Sequence, residues 1–341
     1  MSLTLADVLM AVLWIGLTAY VLLGGADFGG GVWDLLAGGA ARGRRQRALV
    51  EHSIGPVWET NHVWLILVIV LMWTGIPPVF AAVTSTLYIP LTLAALGIIA
   101  RGAGFAFRKA STEVWRQRLF GATFAFSSLV TPFFLGTAAG GIASGRVPPG
   151  LARGDLVASW LNPTSVVTGL LAVATAAYLA AVYLTRDAER AGDQNLAGLF
   201  RHRALLAGLV TGALAVAGLL VLRADSPGLF RELTSGWALP FVVLSAVAGV
   251  ASLVLLWRRS YLAVRVTAAL AVAGLLWGWG AGQYPMLLPG LPLRTAAATD
   301  AVLAATLAAL ALGALLLAPS LWWLYTTFQR PHPPPEKRPE H

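Results

Sequence analysis

Residues 5–31 read LADVLMAVLWIGLTAYVLLGGADFGGG, and this stretch decides the fold. From Val8 to Ala26 it carries no charge. Wound as a helix rising 1.5 Å per residue, a run of that length matches the ~30 Å hydrocarbon core of a bilayer. Asp27 then stands among the glycines Gly24, Gly25, Gly29, Gly30 and Gly31. An ionised carboxylate at the centre of a membrane helix costs roughly 2.5–3.5 kcal/mol on insertion scales, and less near an end. Such groups therefore face the protein interior and mark ion or proton paths. Glu59 raises the same question in the next hydrophobic segment.

Working outward, the whole chain shares this character. Hydrophobic residues make up 57% of the 341 and charged residues 11%, and the mean hydropathy is +0.74. These values exclude a water-soluble globular domain. The apolar runs are too long and uncharged for barrel strands, which alternate in polarity over about ten residues, so the spans are helical. A helix satisfies its own backbone in lipid. The first apolar segment lacks a basic n-region and leads into the acidic glycine motif, so it reads as a retained span and not a cleaved leader. With no cysteine in the chain, disulfides, thiolate metal sites and iron–sulfur clusters are excluded.

Apolar runs of about twenty residues predict nine helices, at 5–26, 53–74, 78–100, 119–140, 162–185, 204–222, 237–257, 261–282 and 296–328. They form one transmembrane domain over residues 1–330, followed by a proline-rich charged tail, 331–341, with the composition of a disordered segment. One set of alternate loops and helix ends, from Arg42 to Arg338, holds 19 of the 24 Lys and Arg residues; the other holds Arg146, Arg153, Arg223, Arg231 and Arg294. The positive-inside rule then puts the N-terminus outside and the C-terminus in the cytoplasm, and explains the net charge of +9 without invoking nucleic acid. Trp237, Trp257, Trp322, Trp323 and Tyr325 fall at predicted helix ends, as interfacial aromatics do. Pro90 and Pro319 are expected to kink their helices.

In this orientation the first helix descends to Asp27 and the second runs back outward with Glu59 about two turns in, so both carboxylates lie toward the cytoplasmic side. His62 follows Glu59 at i+3 on the same helix face, with Thr60 and Asn61 adding polar groups. Burial and a like charge both raise a carboxylate's proton affinity, so the cluster reads as one that accepts and releases protons. A structural reading stands beside it. The acids would then hydrogen-bond the glycine segment or pair with Arg42 or Arg101, His62 would be a polar residue satisfied between helices, and the glycines would serve close packing. Arg101 itself reads as an inside anchor at the end of the third helix. Asp7 and Asp300 are acids favoured by helix N-termini. A six-coordinate heme would need His62 with Met10 or Met72, yet Met72 lies ten residues beyond His62, about 15 Å along the helix. This chain therefore predicts no metal or cofactor site of its own.

The run Ser53-Ile54-Gly55-Pro56-Val57-Trp58-Glu59-Thr60-Asn61-His62-Val63-Trp64-Leu65-Ile66, the glycine motif through Gly31, and Arg101-Gly102-Ala103-Gly104-Phe105 together resemble subunit II of the cytochrome bd type quinol oxidases. The motif residues carrying the likeness are Gly25, Gly29, Gly30, Gly31, Pro56, Trp58, Asn61, Trp64 and Arg101. The resemblance implies two four-helix bundles, about 1–140 and 160–282, plus a peripheral last helix, 296–328. It implies a bacterial plasma-membrane complex that oxidises quinol and reduces dioxygen to water. The partner, subunit I, would carry two b-type hemes and one d-type heme, and this chain none. A structural quinone occurs in subunit II of some members, and a small single-helix accessory subunit is a further expected partner. Asp27 and Glu59 match the family's acids on a cytoplasmic proton path. Glu59 stands where the family often has Asp, and His62 where it carries Gln or Glu. The alternative from another functional class is a proton-coupled secondary transporter, which predicts discontinuous helices in both halves around a midplane cavity.

Overall fold

The computed structural model describes residues 3–39, 43–54 and 58–328, without the side chains of residues 54, 58–60, 321, 324, 325, 327 and 328. Pro56 and the tail 331–341 therefore lie outside the described residues. So do the side chains of Trp58, Glu59 and Tyr325.

The fold is all-α and built for a membrane. Among the described residues eight helices are long and apolar enough to cross a bilayer, and a bent pair, Asn61–Gly75 with Pro77–Thr86, makes a ninth span if counted as one. The first span, Leu5–Leu35, joins α1 (Leu5–Ala19), a π-helical turn (Tyr20–Gly24) and α2 (Gly25–Leu35). Thr4 and Asp7 start it with a reciprocal capping box, which satisfies N–H groups that have no partner within the helix. The short helix α3 (Arg44–Ile54) follows, then α4 (Trp58–Gly75), α5 (Pro77–Thr86), α6 (Tyr88–Ala110) and α7 (Val114–Ala143). After the loop comes α8 (Pro163–Arg190), started by Asn162 as N-cap and Pro163 in its first turn. Next are α9 (Gln194–Asp225), α10 (Pro227–Ser235), α11 (Leu239–Trp257) and α12 (Tyr261–Gln283). A two-stranded hairpin, β1 (Met286–Leu288) and β2 (Leu291–Pro292), leads through α13 (Leu293–Ala296) to α14 (Asp300–Phe328).

Three expectations need correction. The first helix does not stop at residue 26; it runs on to Leu35, because the glycines between are packed and do not end it. The third span is not 78–100. Pro77 and Pro78 start α5, which turns 119° from α4, and the chain breaks again at Leu87 before the span α6 begins. Pro90 therefore sits in the first turn of α6, where its missing N–H breaks no bond within that helix. Third, Arg101 lies in the interior of α6 and is 2% exposed, so it is not an interfacial anchor. Asp7 and Asp300 do stand in the first turns of α1 and α14.

Two apolar clusters hold the ends of the structure. At the upper end, where the first span begins, Leu9, Met10, Leu13 and Leu71 pack with Val79, Val83, Leu293 and Leu303, and Met72 packs against them. At the lower end Val32, Trp33 and Val50 pack with Leu179, Leu184, Phe200, Leu256 and Val264. Trp33 also donates its indole N–H to the Ala177 carbonyl at 2.8 Å, fixing α2 on α8. At the lower end too, Arg45 of α3 pairs with Asp193, the N-cap of α9, whose carboxyl is held below its usual range chiefly by the Leu196 N–H. In contrast, α9 and α14 bury little of their apolar length and leave Leu206, Leu209, Leu315 and Leu316 exposed. These faces suit lipid or partner helices.

Candidate functional site: a buried acid and arginine pair

The site is assembled where the first span meets α4, α6, α7 and α8. Helix α2 approaches α8 through small residues. A side chain at Gly29 would strike the Ala176 carbonyl and come within 2.7 Å of the Ala180 Cβ, and one at Gly31 would collide with Ser128 on α7. Gly30 is buried between them, whereas Gly25 faces Leu179 at an ordinary 3.6 Å. The glycines thus serve close helix packing, and that packing buries what lies among them.

Asp27 is 3% exposed. Its partner is Arg101, whose Nη2 donates to Oδ1 at 2.9 Å and whose Nη1 donates to Oδ2 at 3.3 Å. Nη2 also donates to the Asp27 carbonyl at 3.0 Å, and Nε to the Ser128 hydroxyl oxygen at 3.1 Å. The guanidinium lies between two aromatic faces, 5.0 Å from the Phe28 centroid and 4.9 Å from that of Phe124. Carboxylate, carbonyl, hydroxyl and ring faces together stabilise the cation. Of the structural alternatives in the sequence, pairing with Arg101 is therefore present, though deep in the bundle and not at the interface.

Around the pair lie polar groups with spare capacity. The π-helical turn carries the Leu23 carbonyl to Asn61 of α4, whose Nδ2 donates to it at 3.3 Å. Asn61 is 2% exposed, and its Oδ1 receives no hydrogen bond. The Tyr20 hydroxyl, in one buried cluster with Phe28 and Ala176, is likewise unsatisfied. Trp64 packs against that cluster. Buried groups of this kind are the usual partners of internal water, and π-helical turns recur at functional sites. His62 is partly buried on α4, three residues after Glu59 and next to Asn61, which bonds the first span.

The sequence reading missed a second buried acid. Asp34, 5% exposed, takes a hydrogen bond from Arg108 Nη1 at 2.7 Å and lies 3.0 Å from Arg47 Nε. Its signal was its distance from Asp27: seven residues is two helical turns, and Arg101 and Arg108 share that spacing. Ser128, Phe124 and Tyr20 gave no comparable signal. Among the described residues no three His, Asp or Glu side chains are grouped to hold a metal ion.

Comparison with known proteins places this arrangement in context. Residues 5–328 match the family model described as cytochrome bd terminal oxidase subunit II. The chain is 31% identical over 129 residues to the cytochrome bd ubiquinol oxidase subunit 2 of Bacillus subtilis (strain 168), a match covering 38% of this chain and 36% of that protein. It is 30% identical over 223 residues to the cytochrome bd-I ubiquinol oxidase subunit 2 of Escherichia coli (strain K12), covering 63% of this chain and 55% of that one. The matches thus span between a third and just over half of these relatives' lengths. The bd oxidase structure from Geobacillus thermodenitrificans aligns with a TM-score of 0.74 at 24% identity, over 96% of this chain and 99% of that one, and shows a shared fold.

Proposed function

Because the chain belongs to the cytochrome bd terminal oxidase subunit II family, we propose that it is the non-heme subunit of a bacterial plasma-membrane quinol oxidase, and that it passes protons from the cytoplasmic side toward a heme-bearing subunit I. The upper end of the structure faces outward and the lower end faces the cytoplasm, in keeping with the bias of Lys and Arg.

The buried Asp27–Arg101 pair carries this reading. Removing two charges from water costs several kcal/mol for each, and apolar residues of similar volume in place of a buried pair are often neutral or stabilising. Packing alone therefore does not call for an acid and a base at this depth. A carboxylate at membrane depth beside groups suited to internal water is what a proton relay requires. In the proposed path Asp27 receives a proton from the cytoplasmic side and releases it through water toward Glu59 and the partner; His62 stands next on that helix face.

Hemes fit poorly in this chain. Met10 and Met72 belong to the upper apolar cluster, away from His62; the family resemblance implies that subunit I carries the two b-type hemes and the d-type heme. Quinol oxidation and dioxygen reduction take place there. If quinol releases its protons outside while those forming water come from inside, charge separates across the membrane without a pump. A transporter would need broken helices in both halves, and among the described residues one bent pair is found, in the first half.

In the intact complex, Asp27→Asn, which leaves an amide oxygen, the residue-27 carbonyl, Ser128 and both rings on the Arg101 guanidinium, and Glu59→Gln are each expected to slow oxygen consumption by about tenfold to a hundredfold, within the range of lost proton-transfer groups, with the heme spectrum retained. Wild-type turnover in both variants would overturn the proton role.

A further inference from the structure

Asp27 and Asp34 on α2 pair with Arg101 and Arg108 on α6. The equal spacing makes them two rungs of one ladder, about 10.5 Å apart along the helices. Between the rungs, Phe105 and Phe124 pack with centroids 5.9 Å apart, and the Phe124 ring also covers Arg101. The upper rung is buried, with Asp27 and Arg101 both almost without exposure. The lower rung borders a cavity of about 20 Å³ lined by Asp34, Arg47, Glu51, Arg108, Phe105 and Phe124.

That space accommodates one water molecule. Arg108 occupies Asp34 Oδ2, while Oδ1, buried and beside Arg47 Nε, accepts no hydrogen bond. Glu51, which also lines the cavity, is exposed to solution. A carboxylate oxygen that is ion-paired with Arg47 yet accepts no hydrogen bond, room for a water and an exposed acid thus meet at one cavity. We infer that Asp34 is the cytoplasmic-side proton acceptor of this subunit, with a single water in this cavity bridging its Oδ1 to Glu51 and solution.

The inference rests on the proposed proton path through Asp27. In the step itself, a proton from solution reaches the cavity water. As that water gives a proton to Asp34 Oδ1, one O–H bond breaks and one forms; the carboxylate is restored when the proton moves on. The charged groups facing Asp34 are Arg47 and Glu51 from α3 and Arg108 from α6. Helix α7 presents the uncharged Phe124, and from α9 Arg203 reaches the Leu36 carbonyl nearby.

The test is oxygen consumption by the whole complex as a function of pH. Asp34→Asn is expected to lower turnover about tenfold, or about 1.4 kcal/mol of barrier. Its rate should fall by up to about tenfold per pH unit on the alkaline side, because proton capture has become limiting. Asp34→Glu should recover turnover to within about twofold, since a carboxylate is restored. Glu51→Gln, on an exposed residue that does not hold the fold, should steepen the alkaline fall whether or not the Asp34 variant assembles. A wild-type rate and pH profile in Asp34→Asn and Glu51→Gln, with Asp27→Asn slow, would overturn this inference and leave the proposed path standing. Wild-type behaviour in Asp27→Asn as well would overturn both.

Discussion

Arg101→Met alone is expected to cost about 3–5 kcal/mol and to deplete the folded subunit from the membrane, because it strands the Asp27 carboxylate in an apolar bundle without its cation. The double variant Asp27→Leu, Arg101→Met should reverse that loss. Leucine and methionine have about the right volume for the space, and replacing both partners removes the desolvation cost along with the attraction. Phe28 and Phe124, which now sandwich the guanidinium, would accept a thioether readily. If the pair served only to hold helices together, restored folding would restore activity. The relay reading expects otherwise: the double variant accumulates near the wild-type level, with subunit I and its hemes in place, and turns over slowly. Comparing heme content with oxygen consumption in the singles and the double separates the two roles.

Gly29→Ala is the second large effect. Its methyl group would enter the Ala176 carbonyl and crowd the Ala180 Cβ, and neither atom belongs to a flexible side chain. The helices α2 and α8 must therefore separate, at a cost of about 1–3 kcal/mol or more, as for overpacked cores. Asp27 lies two residues away, so the shift would also disturb its alignment with Arg101. Gly25→Ala is the matched control. Its methyl would meet Leu179 at an ordinary distance, and alanine is favoured over glycine in a helix by roughly 0.5–1 kcal/mol. Thermal melts of the purified complex should show a clear fall for Gly29→Ala and little change or a small rise for Gly25→Ala. Equal behaviour of the two would contradict the packing described for α2 and α8.

Much of this was legible in the sequence, for physical reasons that can be named. The lipid environment requires helices wherever apolar runs are long, so the class of fold followed from composition, and Asp27 was conspicuous because charge at that depth is expensive. The glycines signalled close packing because nothing larger permits it. What hydropathy could not show was where helices continue through polar or small residues. Reading the first span as ending at 26 hid Asp34. Placing the third span at 78–100 put Arg101 at an interface, because the break at Leu87 rests on backbone geometry that no apolar pattern records. The pairing of Asp27 with Arg101 depended on that register. The side chain of Glu59, the other acid singled out, lies outside the described residues, so its place in the path rests on chemistry and resemblance.

The most direct test of the central claim is proton uptake itself. With the complex in vesicles and a pH-sensitive dye on the cytoplasmic side, dioxygen is admitted to the fully reduced enzyme, and proton disappearance is followed together with heme oxidation. The account predicts that Asp27→Asn slows proton uptake and the completion of oxygen reduction in parallel, with all hemes present. Proton uptake at the wild-type rate in that variant would contradict it.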